Sequence, residues 1–236
     1  MTRDSERPSG ARQLAGRIVR EATRQGQNTA TIRRVRRTWS KQLRTQPEEF
    51  VLDVVSELLL GRTHMHRMLA FELLAEHAAA FNLLNDARVH AWADGLSDWG
   101  SIDLYGVTIA GPAWRMGLIS DSTVRSWARS PDRWRRRLSL VATVALNARS
   151  RGGTGDQRRT LWICRQLMAD RDPMVVKAMS WALRELAKRE PASVRNFLSR
   201  EETTLAPLVR REVSNKLRTG LKSARSRARS TKRPSR

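Results

Sequence analysis

The chain has one cysteine, one tyrosine and four phenylalanines among its 236 residues. A lone thiol, Cys164, excludes an internal disulfide framework and a cysteine-built zinc site, and it suits a reducing cytoplasm. No apolar run nears the roughly 18 residues that a membrane span needs, and the opening MTRDSERPSG lacks a secretory apolar segment. There is no GxGxxG, no Walker loop and no GxSxG, so phosphate-cradle and nucleophile-elbow enzymes are set aside. Alternating strand patterns are nearly missing as well.

Positive charge is plentiful. Lys and Arg total 45 against 23 Asp and Glu, a net charge of +22. The excess is segregated. Residues 1–45 carry 12 basic and 3 acidic groups, 46–110 carry 3 and 10, 111–217 carry 22 and 10, and 218–236 carry 8 and none. Solubility asks for mixed charge, not a one-signed excess of this size, so a polyanion is the leading partner. Arginine forks match phosphate oxygens in bidentate geometry, which favours nucleic acid.

Helical periodicity dominates the rest. Asn28 to Thr31 start a helix bearing Ile32, Val35, Trp39 and Leu43, and Pro47 opens another that Gly61 closes. Further helices are expected over 65–80 and 83–93, then from Ser97 or Asp98 through Trp99, Ile102, Leu104 and Val107. Asp121 or Ser122 caps a short one, and Ser130-Pro131-Asp132 starts the next. The stretch 149–155 (RSRGGTG) reads as the most flexible internal loop, followed by helices near 156–169, 173–188, 191–199 and 207–219. The class is all-α. Successive antiparallel pairs suggest a curved α-solenoid of HEAT type, with a compact helical bundle as the alternative. The expected organisation is a loose N-terminus over 1–10, one helical domain over 11–219 and a disordered basic tail over 220–236.

Candidate chemistry narrows quickly. His64 and His66, near Glu72 and Glu76, are spaced poorly for a helical chelate, so no metal site is expected there. Trp99 and Asp103, four apart, share one helix face: an indole beside a carboxylate that can stabilise developing positive charge. Arg137 lies three positions after Trp134, behind Arg135 and Arg136, and Arg184 three after Trp181. A buried core role is the ordinary use of tryptophan, and helix solvation that of an aspartate.

Five segments carry a resemblance: GQNTATIRRVR (26–36), DWGSID (98–103), WARSPDRWRRRLSL (127–140), KAMSWALRELAKREP (177–191) and LAPLVRREVSNKL (205–217). In that order and spacing, the chain resembles the DNA alkylation repair glycosylase family typified by AlkD, a curved stack of HEAT-like helix pairs. The resemblance implies removal of cationic N3- and N7-alkylated purines, such as 3-methyladenine and 7-methylguanine, from duplex DNA without a base pocket, metal or cofactor. It places the catalytic Asp103, Trp99 and Trp181, with Arg137 on a phosphate. Arg136, Arg184, Arg33, Arg210 and Arg211 are added as expected DNA contacts. Asp98 stands where the family often has an aromatic. A monomer in the cytoplasm acting on duplex DNA is the expectation; a non-catalytic binder of distorted or branched DNA is the alternative, and a protein-binding helical scaffold fits the charge least.

Overall fold

The computed structural model describes residues 9–223, and every regular element among them is helical. They divide into two compact units between Ser120 and Asp121. The region expected as one helical domain comprises both of these units.

The first unit holds α1 (Ser9–Gln25), α2 (Thr29–Leu43), α3 (Glu48–Leu59), α4 (His64–Ala75), α5 (Ala78–Asn82), α6 (Asp86–Trp92), α7 (Trp99–Tyr105) and α8 (Gly111–Arg115). Side chains that accept a first-turn N–H set many of the starts: Asn28 for α2, Thr63 for α4, Asn85 for α6 and Asp98 for α7. Within this unit α2, α4 and α7 pack in succession, and α1 and α3 back them. Ile18, Val54, Leu69, Phe71 and Leu74 are fully buried between these rows. Phe71 and Tyr105 meet at 4.8 Å, and the Tyr105 hydroxyl donates to the Val89 carbonyl at 2.6 Å, which ties α7 to α6.

The second unit holds α9 (Asp121–Ala128), α10 (Arg133–Asn147), α11 (Gln157–Leu167), α12 (Pro173–Leu186), α13 (Pro191–Arg200) and α14 (Pro207–Thr219). Asp132, Asp156 and Asp172 cap α10, α11 and α12, while Pro173, Pro191 and Pro207 occupy first turns, where the missing N–H costs nothing. Helices α10, α12 and α14 form one layer, with α9, α11 and α13 on its other side. From Arg137 to Asn147 every residue of α10 is buried. It is the core strut of this unit.

Four sequence expectations shift. The helix expected over 65–80 breaks after Ala75, because the His77 ring accepts the Ala80 N–H at 3.1 Å and starts α5. The one expected over 83–93 begins only at Asp86, since Asn85 caps it. Ser9 and Gly10, expected in a loose N-terminus, already belong to α1. Asp121 lies inside α9 rather than capping it.

The 149–155 loop is not loose packing either. Gly153 N–H donates to Ala148 O and Gly155 N–H to Leu146 O, and Arg189 donates to Asn147 O and Gly153 O. A Cβ on Gly153 would lie 2.6 Å from Ala145 O and 2.7 Å from Leu146 C. The glycine is there because two backbone segments touch. Most of the basic tail expected over 220–236 lies outside the described residues; after α14, Gly220 turns the chain in the left-handed conformation at φ 72°.

Candidate functional site

In the first unit the candidate pair sits on α7, a helix of only seven residues. Trp99 is its first residue and is 63% exposed, the most exposed large apolar side chain described. Asp103, one turn on, is partly buried. Water-facing indole is uncommon in a chain that buries Trp39, Trp114 and Trp127.

Arg67 of α4 fixes the entry to α7. Its guanidinium donates to Asp98 Oδ2 at 3.0 Å, Ser101 Oγ at 2.7 Å and Gly95 O at 3.1 Å. Asp98 in turn accepts the Ser101 N–H at 2.8 Å. Burial opposes ionisation of Asp98, but its Ser101 hydrogen bonds and the Arg67 and His64 charges outweigh it and hold the carboxyl below its ordinary value. Asp98 is therefore the cap and anchor of the helix carrying Trp99 and Asp103.

Behind Asp103 the helix widens. Gly106–Ala110 form a π turn, and the chain runs on into α8 with helical dihedrals throughout. Pro112 offers no N–H to continue the α ladder, and the wide turn ends two residues before it, at Ala110. Such turns gather at functional sites, and this one follows the candidate carboxylate within three residues.

Arg33 stands on α2 in the same unit and reaches Glu72 at 3.3 Å while remaining half exposed. Arg36 pairs with Glu72 at 3.5 Å and with Glu76 at 2.9 Å. Those acids, read beside His64 and His66, are thus ion-pair partners of α2. Among the described residues no group of three His, Cys, Asp or Glu could hold a metal ion. Burial lowers the pKa of His66, whose ring lies 2.6 Å from the Thr63 hydroxyl.

In the second unit Arg137 is buried, 6% exposed, on α10, and one guanidinium nitrogen donates to the Met174 carbonyl in the first turn of α12. Trp181, two turns along α12, is partly exposed. Arg184 donates to Ser180 Oγ at 3.2 Å, and Ser180 donates to Glu212 Oε2 of α14 at 2.6 Å. Burial lowers the Arg184 pKa, against the raising effect of Glu212 and Glu185. Arg136 spans Asp170 Oδ2 at 2.7 Å and the carbonyls of Ser130 and Pro131. On α14, Arg210 reaches Glu202 at 3.7 Å and Arg211 is exposed.

The expected DNA contacts therefore differ in kind. Arg136 staples a turn to Asp170, and Arg184 belongs to the Ser180–Glu212 network; both already have protein acceptors. Arg33 has an acceptor in Glu72 but stays half exposed, and Arg211 is exposed. Within each unit the candidate residues belong to one row of helices, α2 and α7 in the first and α10, α12 and α14 in the second. Sequence reading missed Arg67 and the π turn. Arg67 could have been noticed as one of only three cations in the acidic 46–110 stretch.

The family model for DNA alkylation repair enzymes matches residues 7–217. The chain belongs to the DNA alkylation repair enzyme family. The solved structure of a "Predicted DNA alkylation repair enzyme" from Enterococcus faecalis shares the fold at a TM-score of 0.64 and 18% identity, covering 91% of this chain and 97% of that one. None of the curated proteins compared matches. As a DNA alkylation repair enzyme, the chain has DNA as its substrate class, and the net charge of +22 suits it. No helix of the described residues is long and apolar enough to cross a membrane.

Cys164 has no part in such chemistry. It is fully buried, and burial pushes its thiol up to about 12 against the opposing charge of Arg165, so it stays protonated at neutral pH.

Proposed function

We propose that the chain is a monofunctional DNA glycosylase that hydrolyses the N-glycosidic bond of N3- and N7-alkylated purines, 3-methyladenine and 7-methylguanine among them, in duplex DNA. The observation that carries this reading is the Trp99–Asp103 pair, displayed on a short, anchored helix in a chain of this family.

Alkylation makes the purine a cation, so it leaves as a neutral base when the glycosidic electron pair moves onto its ring nitrogen. Little general-acid help is needed. Positive charge then develops on C1′ and the ring oxygen of the sugar. An ionised Asp103 stabilises that charge and orients the water that attacks C1′, taking its proton as the new C–O bond forms. Trp99 and Trp181 pack against the lesioned nucleotide, and Arg137 holds a phosphate oxygen. Arg33, Arg210 and Arg211 add phosphate contacts, with Arg136 and Arg184 contributing through the helices they brace. No metal or cofactor enters, and a cytoplasmic monomer suffices.

The test is product analysis. Purified protein incubated with methylated duplex DNA in EDTA releases free 7-methylguanine and 3-methyladenine and leaves abasic sites. Tight binding to branched or distorted duplex with no base released would instead establish the non-catalytic binder.

A further inference from the structure

Between α9 and α11 of the second unit lies a concavity of about 620 Å³. Its walls include Asp121 and Arg125 from α9 and Arg158, Leu161, Trp162 and Arg165 from α11. One lining residue, Trp162, is a partly exposed indole, with the Arg125 guanidinium stacked over its ring at 4.9 Å.

The cations here are held differently from their neighbours. Arg136, Arg159, Arg184 and Arg189 of this unit all bond carboxylates, carbonyls or a hydroxyl. Arg125 lies over Trp162, and Arg165 lies over Phe197 at 5.9 Å. A guanidinium stacked on a ring keeps its in-plane N–H edges for another acceptor. Arg158, its side chain 76% exposed, touches Asp121 only at 3.5 Å, while Asp121 sits nearer to Arg159, at 3.1 Å. Three guanidiniums against one shared carboxylate leave the concavity positive.

An aromatic plate ringed by arginine edges matches a nucleotide whose base is not paired. The ring face takes the base by stacking, and the forks take phosphate oxygens. A paired duplex keeps its base faces stacked inside and offers only the phosphates. We propose that this concavity binds a single nucleotide unit with an unpaired base, stacked on the Trp162–Arg125 pair with its phosphate held by Arg158 and Arg165. None of the residues assigned to base release takes part, so the two readings fail separately.

The test uses the full chain and the fluorescence anisotropy of a labelled oligothymidylate. Trp162→Ala is expected to weaken strand binding about tenfold, the usual effect of losing one base–aromatic stack. The double substitution Arg158→Glu with Arg165→Glu weakens it at least as much, while release of 7-methylguanine from duplex DNA stays at the wild-type rate. The basic tail is present in every variant, so the difference reports the concavity. Displacement of the strand by thymidine 5′-monophosphate identifies a free nucleotide as the ligand; displacement only by unlabelled oligothymidylate identifies the single strand. Should Trp162→Ala fail to fold, the exposed arginine pair carries the test alone. Unchanged strand affinity in the arginine double variant, with no effect of the mononucleotide, overturns the proposal.

Discussion

The two helices nominated for the chemistry are built in opposite ways. Helix α7 is seven residues long, is held at its start by side chains from Arg67 and Asp98, and presents Trp99 to water. Helix α10 is fifteen residues long, buried from Arg137 onward, and holds its arginine against a backbone carbonyl of α12. The difference teaches where function and stability separate. A group displayed on a short anchored helix can be removed without disturbing a core, whereas Arg137 is core and candidate site at once.

Four substitutions test that contrast. The largest stability loss is expected for Arg137→Ala, about 2–3 kcal/mol, since the buried charged hydrogen bond to the Met174 carbonyl is broken. Denaturant unfolding should show this together with lost base release. An Arg137→Ala protein as stable as wild type would break the comparison. Next comes Gly153→Ala, which forces a Cβ to within 2.6 Å of Ala145 O beside the end of α10. A cost of about 1–3 kcal/mol is expected by the same measurement.

Arg67→Ala is expected to cost about 1–2 kcal/mol and to slow base release by loosening the turn that carries Trp99. Its signature is lower activity with duplex affinity retained; Arg67→Lys, which keeps the charge but not the fork, should restore it only in part. Trp99→Ala should be the mildest for stability, within about 0.5 kcal/mol, because the ring is already mostly in water. Its base release nonetheless falls sharply.

Acid sensitivity sharpens the α7 side further. Asp98 has a folded pKa below its ordinary 3.8, so its contribution is intact above that value and disappears as pH falls through the lower folded one. Unfolding midpoints measured between pH 5 and pH 3 should drop less in Asp98→Asn than in wild type.

Much of this was legible in the residues. Asn28, Asp98 (offered beside Ser97) and Asp132 (offered with Ser130-Pro131) read as helix starts because a short oxygen-bearing side chain before an apolar stripe is a local signal, and the structure caps α2, α7 and α10 with them. The Trp99–Asp103 spacing was equally local, four residues on one helix. What escaped depends on contacts between distant segments. The Arg67 tether spans 28 to 34 residues, Gly153 is demanded by a strut the local sequence does not mention, and His77 caps a helix only because its ring is held inward. The arginines show the same limit: composition counted Arg136 and Arg211 alike, and only folding places one on Asp170 and the other in solvent.

The most direct test of the account pairs two numbers for Asp103→Asn: its affinity for methylated duplex DNA, and its single-turnover rate of 7-methylguanine release. Affinity equal to wild type is expected, with a rate lower by about 10²–10³-fold, the usual effect of removing one group aimed at transition-state charge. A variant that binds equally and releases base at the wild-type rate contradicts it.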